Sequence, residues 1–298
     1  MTGHFGLKVR MAIAGSILFL FYLAVAGVAF AFYGQGIWPI VLIGSVLFVG
    51  FQYKFGKWAA LKSVGAEDMP EEGEYRRIHD AVERFSDEMG IDKPRLMVAE
   101  MGVPNAFAVG RKGAGTVVVS EELIRLLDRD ELEGVLGHEL AHIRNRDVVI
   151  MVLGQSIAAM VGIAVQFAVI FSGRRGIGQY ILGMILGSIA QMIVMIFVLA
   201  ISRYREYVAD SDAADVTNNP DAMARALEKI SKGAERAREA QAAGQSRGRG
   251  RQQEQQGPFD GQDQVSALMI NNTSRGLLQS IFATHPPIEK RIQRLRAA

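Results

Sequence analysis

Three stretches of this chain carry no charged residue: 11–53, 148–173 and 176–202. Each exceeds the roughly 20 apolar residues needed to cross a bilayer. The helix of a soluble core rarely runs so far without a charge. The chain of 298 residues is 49% hydrophobic and only 21% charged, and the apolar weight lies in these stretches. They specify an α-helical integral membrane protein.

The first stretch suffices for two crossings, 11–33 and about 38–56, with Gly34, Gln35, Gly36 and Pro39 marking the turn between them. The other two stretches form a second hairpin, so two transmembrane hairpins (four spans) are expected. Lys8 and Arg10 precede the first apolar segment as in a signal peptide. That segment is too long for one and a second span follows after a very short turn, so it is read as retained. Lys8 and Arg10 before the first hairpin and Lys54, Lys57 and Lys62 after it put both its ends in the cytoplasm. Arg174 and Arg175 in the second turn point the other way, but Arg144, Arg146, Arg203 and Arg205 outnumber them.

Between the hairpins stands His138-Glu139-Leu140-Ala141-His142, the pattern His-Glu-x-x-His. On a helix, residues four apart share a face, so two imidazoles can hold one metal ion while Glu139 stands beside its open position. The helix has its start signals: Asp128 or Asp130 as a cap, with Glu131 or Glu133 three residues on. Leu132, Leu136, Leu140 and Ile143 form an apolar stripe almost opposite the histidines, so the histidine face is expected to line a cleft. Asn145 returns to that face as a candidate support for the site. The chain has no cysteine, which leaves only nitrogen and oxygen ligands and no disulfide framework. A net charge of +2 gives no case for nucleic acid.

An even number of crossings returns the chain to the side it left, so Asp147 and Arg203 are expected at one membrane face. The first polar stretch after the second hairpin contains Glu206 and Asp210, one helical turn apart. Two histidines, a carboxylate and a water make a common catalytic zinc shell. Glu206 fits the third ligand position, and Asp210 fits as acceptor of a ligand's spare ring N–H. The plainer reading, in which both acids pair with Arg203 and Arg205, stays open. His285 precedes Pro286 and Pro287, which hold it extended. It is either structural or a donor to an oxyanion.

The division that follows is a hairpin at 1–56, a soluble α/β segment at 57–147, a second hairpin at 148–202 and a second soluble part at 203–298. Within 57–147, a helix is expected at 74–90 and strands at 93–100, 106–110 and 116–120. His79, on that helix, reads as structural or solvated. Asn105, Ala106 and Phe107 lie either in an ordinary turn and strand or on an edge strand that pairs with substrate. Asn219 and Pro220 open a helix to about Ala240. The Gln- and Arg-rich stretch at about 243–264 reads as a flexible loop.

Together the two hairpins, Pro104–Ala108 (PNAFA), His138–Asp147 (HELAHIRNRD), Arg205–Asp210 (REYVAD) and Thr284–Pro287 (THPP) resemble the HtpX-like membrane zinc metalloproteases, relatives of the CAAX prenyl endopeptidases. The resemblance covers nearly the whole chain, in order. It implies a gluzincin-type catalytic domain of α+β architecture at the cytoplasmic face of the cell (inner or plasma) membrane. It implies one zinc ion per chain on His138, His142 and Glu206, with Glu139 as general base. Asp210 and Asn145 would support the metal, and His285 would assist near the substrate. The implied partners are the lipid bilayer and polypeptides, above all misfolded or damaged membrane proteins, alongside other quality-control proteases.

Competing readings are a prenyl-protein endopeptidase, an intramembrane protease of the site-two class, and a non-catalytic zinc-binding scaffold. Glu131, Glu133, Arg144, Arg146 and Asp147 surround the motif, so its helix is expected largely in water rather than in lipid. An intact Glu139 speaks against the scaffold.

Overall fold

The computed structural model describes residues 38–172, 176–248 and 285–297, with positions 16, 20, 27 and 36. Most of the first expected span at 11–33, Lys8, Arg10, Arg174, Arg175, Thr284 and most of the stretch at 243–264 lie outside the described residues. What is described is mostly helical with one small sheet. The chain divides into two compact units, one of Met1–Phe55 with Val149–Tyr204, the other of Gly56–Val148 with Arg205–Ala298.

The first unit takes most of α1 (Trp38–Ser63), nearly all of α5 (Asp147–Ser172) and the first part of α6 (Ile177–Thr217). Both α5 and α6 are long and apolar enough to cross a membrane. Large apolar side chains such as Phe167, Phe171, Ile181 and Ile185 stand exposed on them, which is stable against lipid and not against water. The two helices pack antiparallel through small residues. A Cβ at Gly187 would lie 2.6 Å from the carbonyl oxygen of Gly162, and one at Gly154 would lie 3.0 Å from Val198. Backbones approach this closely only where side chains are missing, as is usual between helices in lipid. The Ser156 hydroxyl lies 2.5 Å from Gln52 Oε1 and 2.7 Å from the Val152 carbonyl, so its one proton always has an acceptor inside the apolar unit.

In the second unit the β-branched run Thr116–Ser120 forms β4, central in a sheet ordered β1-β2-β4-β3. Arg95–Ala99 (β2) lies parallel to it and Ala106–Val109 (β3) antiparallel at the edge. These three strands stand where the sequence expects them. The two-residue β1 (Glu67–Asp68), which pairs antiparallel with β2, is too short to leave a periodic signal. Inside faces alternate with the pleat. Ala106, Ala108, Val117 and Val119 face the main core, while Phe107, Val109 and Val118 face a smaller cluster completed by Ala60, Leu61 and Val64.

The main core is built by α2 (Arg76–Met89), α3 (Glu121–Leu126), α4 (Arg129–Arg144), α7 (Pro220–Gly248) and α8 (Ile288–Leu295). Gly90 ends α2 in the left-handed conformation at φ 63°, donating back to the Asp87 carbonyl. His79, on α2, is buried and lies 3.2 Å from the Met69 carbonyl, a structural contact. Helix α7 runs on to Gly248 instead of ending near Ala240, since Gln, Arg and Ala there are good helix formers.

One expectation is corrected. The motif helix α4 is not washed by water: Leu136, Leu140 and Ile143 are buried, and so are His138 and Glu139 on its other faces. Of the charges that suggested solvent, Glu131 and Asp147 are buried and Glu133 is half-buried, while Arg144 and Arg146 stay exposed. Glu131 is 1% exposed and held by Lys229 at 2.7 Å, and Asp147 is also 1% exposed.

Gly134 and Gly137 let α4 press against the chain around it. A Cβ at Gly134 would lie 3.2 Å from the backbone nitrogen and Cα of Met223, and one at Gly137 would lie 3.2 Å from Val216. Gly134→Val is therefore expected to destabilise the protein by roughly 1–3 kcal/mol through overpacking against backbone. Thermal unfolding in detergent, followed by circular dichroism, should show the lower midpoint; an unchanged midpoint would contradict this packing.

Candidate metal centre

Helix α4 starts on a capping box: the Asp128 N–H donates to the Glu131 carboxylate at 2.9 Å, and the Asp128 side chain caps in return. This fixes the helix register that puts His138 and His142 one turn apart. Their Nε2 atoms face each other at 3.1 Å, with the rings nearly perpendicular. The tail of α6 carries Glu206 against both. Its Oε2 lies 3.6 Å from His138 Nε2, and its Oε1 lies 3.6 Å from His142 Nε2. One ligand atom from each of His138, His142 and Glu206 falls within 4.8 Å of the others. Donors around a tetrahedral zinc at 2.0–2.1 Å are about 3.3 Å apart, so little movement would close the set.

The donor chemistry fits a cation. Glu206 is a buried carboxylate whose two oxygens each face an imidazole Nε2 at 3.6 Å, beyond hydrogen-bond reach. Two imidazole nitrogens and a buried carboxylate converging on one point are a donor set that suits a divalent cation.

One turn beyond Glu206, Asp210 Oδ1 lies 3.1 Å from His138 Nδ1. Asp210 also takes both arms of Arg291, at 2.8 Å from Nε and 2.6 Å from Nη2. Arg291 Nη1 stands 3.0 Å from Glu206 Oε2, and the arginine is fully buried. Burial alone would raise the pKa of Glu206, but the charges of His285 and Arg291 outweigh it and hold the carboxyl well below its usual range. Asp210 is likewise held low against burial, chiefly by Arg291. Burial opposes a charged His138, yet its hydrogen bonds to Asp210 and Glu206 prevail and raise its pKa to about 9.

Other residues singled out in the sequence lie as follows. Glu139 is buried on α4 and its charge acts on Arg291. His285 Nδ1 lies 3.0 Å from Glu206 Oε2, just before the proline that caps α8. Asn145 turns away from the histidines and donates to Asp212 at 2.9 Å. Asn105 is buried, and the Ser120 N–H donates to its carbonyl at 2.8 Å; Ala106 and Phe107 begin the edge strand β3. Three contributors escaped the sequence reading. Arg291 bridges the two acids, Asp147 reaches His142, and Arg205 reaches Asp147. Only the return of an acid and an arginine close behind each motif hinted at them.

A family model described as Peptidase family M48 matches residues 72–298. The chain is 57% identical to "Protease HtpX homolog" of Halobacterium salinarum over 290 residues, covering 96% of this chain and 100% of the relative. It is 36% identical to the protein of the same name from Pyrococcus furiosus, covering 91% and 89% of the two chains. Among solved structures, the crystal structure of S. mikatae Ste24p shares the fold with a TM-score of 0.57 at 17% identity. That likeness covers 97% of this chain and 64% of the Ste24p chain, under two thirds of its length.

A metal entering this group must displace the proton that His138 holds below about pH 9. The raised pKa means the metal-free form binds that proton throughout the neutral range, so affinity falls as pH falls. The affinity is expected to rise about tenfold per pH unit between roughly pH 6.5 and 8.5, one proton released per ion. Chelator-competition titrations at several pH values, run in two buffers of different ionisation heat, would check both slope and proton count.

Proposed function

The chain belongs to peptidase family M48 and is a membrane metallopeptidase, and from that premise we propose that it is a zinc-dependent endopeptidase cutting misfolded or damaged membrane proteins at the cytoplasmic face. The observation that carries the reading is the convergence of His138, His142 and Glu206 on one point, with Glu139 on the same helix. In this reading His138, His142 and Glu206 hold one zinc ion, and Asp210 keeps the His138 ring in the tautomer that presents Nε2. When bound, zinc polarises the scissile carbonyl and lowers the pKa of a water towards about 7. Glu139 accepts the proton of the attacking water and returns it to the leaving amine. His285 donates towards the developing oxyanion.

The edge position of β3 supports substrate binding there. An extended peptide laid beside Ala106 and Phe107 would be held by main-chain hydrogen bonds, with Asn105 at the head of the strand. Recognition through the main chain reads shape rather than side chains, which suits a broad range of unfolded substrates. Asn145 acts further out, tying the end of α4 to Asp212 on α6.

Four spans with both soluble parts cytoplasmic complete the proposal. The chain has no cysteine, so single introduced cysteines report topology cleanly. Gly36→Cys is expected to react with an impermeant thiol reagent from outside the cell. Lys112→Cys should react only after permeabilisation, and the reverse pattern would sink the orientation.

Glu139→Gln should keep about one zinc per chain and lose at least about a hundredfold in cleavage of an unfolded test protein. Metal analysis and a cleavage assay on detergent-purified protein decide it. Equal cleavage by both forms would overturn the role of Glu139.

A further inference from the structure

We propose that Asp147 is a positioning residue for His142 and that Arg205 acts through Asp147, so that the two histidines of the centre are oriented by separate acids. The proposal rests on the reading of His142 as a metal ligand. Asp147 Oδ2 lies 2.5 Å from His142 Nδ1, within a short charge-assisted hydrogen bond. With its proton held at Nδ1, the ring presents Nε2, the atom that faces His138 Nε2 and Glu206. Among the described residues, Asp147 is the one acceptor at His142 Nδ1. Asp210, which serves His138, does not reach it.

Two further observations mark Asp147 as built for this contact. It is 1% exposed, and its second oxygen meets Arg205 Nε at 2.7 Å, an ion pair in which Arg205 is itself 7% exposed. A carboxylate this deeply buried stays charged only with a cation beside it. Arg205 thus takes one oxygen of Asp147 and leaves the other turned to the imidazole. The backbone makes a concession as well. Between the end of α4 and Asp147 at the start of α5, Arg146 adopts φ 57°, the left-handed region that side-chain-bearing residues avoid. That turn brings Asp147 back against His142, five residues earlier. Strain of this kind persists where surrounding contacts hold it in place.

Arg205 and Glu206 are neighbours on α6, so one segment supplies a ligand and, through Asp147, sets the angle of a second ligand. Support of a ligating histidine by an outer acid is worth about ten- to a hundredfold in metal affinity. The Asp147 pair is therefore a determinant of metal retention that neither the histidines nor Glu206 reveal.

The test uses full-length, detergent-purified protein with Glu139→Gln throughout to prevent self-cleavage, and reads Zn2+ affinity by chelator competition. Asp147→Asn is expected to weaken binding about ten- to a hundredfold. Arg205→Met should weaken it in the same direction and Arg205→Lys should recover most of the loss. The double variant should be no weaker than Asp147→Asn alone, because Arg205 acts only through Asp147. Asp212→Asn, a buried acid beside the same turn that holds Asn145 and no histidine, serves as the structural control and should cost clearly less affinity than Asp147→Asn. In the Co2+-loaded protein, Asp147→Asn should shift the visible ligand-field bands and Asp212→Asn should not. Wild-type affinity in Asp147→Asn, an equal loss in Asp212→Asn, or additive losses in the double variant would each overturn the relay. If Asp147→Asn is not recovered folded, the Arg205→Met and Arg205→Lys pair reads the same relay. His142→Ala separates the two levels of the argument: full metal content there would mean that the ligand reading, not the relay, has failed.

Discussion

The architecture of the second unit is governed by the cost of burying charge. His138, Glu139, Asp147, Arg205, Glu206, Asp210 and Arg291 are all under one-tenth exposed. A lone ion in such a setting costs several kcal/mol, so each must meet a partner of opposite sign or give up its charge. The structure answers with alternation. Arg291 lies between Glu206 and Asp210, Asp210 between Arg291 and His138, and Asp147 between His142 and Arg205. These residues come from α4, the start of α5, the tail of α6 and α8. Removing one member strands its partner, which ties four distant segments to a single arrangement.

Such a cluster forms only if backbones come close enough for short side chains to meet. Small residues at the contact make that possible. Gly134 and Gly137 on α4 face Met223, Ala213 and Val216, and Ala209 and Ala213 on α6 are fully buried. Larger residues at Gly137, Ala209 or Ala213 would hold α6 away from α4, and Glu206 could no longer reach both imidazoles. Chemistry at the histidines therefore depends on the absence of side chains one turn away.

Much of this was legible in the sequence because it is local and periodic. The apolar runs mark α5 and α6, the β-branched Thr116–Ser120 marks β4, and the capping box at Asp128 and Glu131 marks the start of α4. The four-residue spacings of His138 with His142 and of Glu206 with Asp210 carry their own geometry. What stayed hidden is made by tertiary contact. Arg291 looks like one of several arginines on an amphipathic helix, and only the approach of α8 to α6 shows it fully buried. Asn145 and Asp147 exchange expected places because a helical wheel assumes that the helix continues. The wheel puts Asn145 on the histidine face, but α4 ends at Arg144 and the left-handed Arg146 turns Asp147 there instead. A single strained residue redirected the reading.

The same charge alternation bears on how the centre would exchange a proton for a metal. Glu206 and Asp210 are two acids in one buried site, with Arg291 against both and His285 beside Glu206. His138, with its pKa raised to about 9, adds a proton held between the two acids. A divalent ion that enters takes over the role of that proton, which leaves as His138 becomes a neutral donor. The carboxylates keep a positive neighbour on both sides of the exchange.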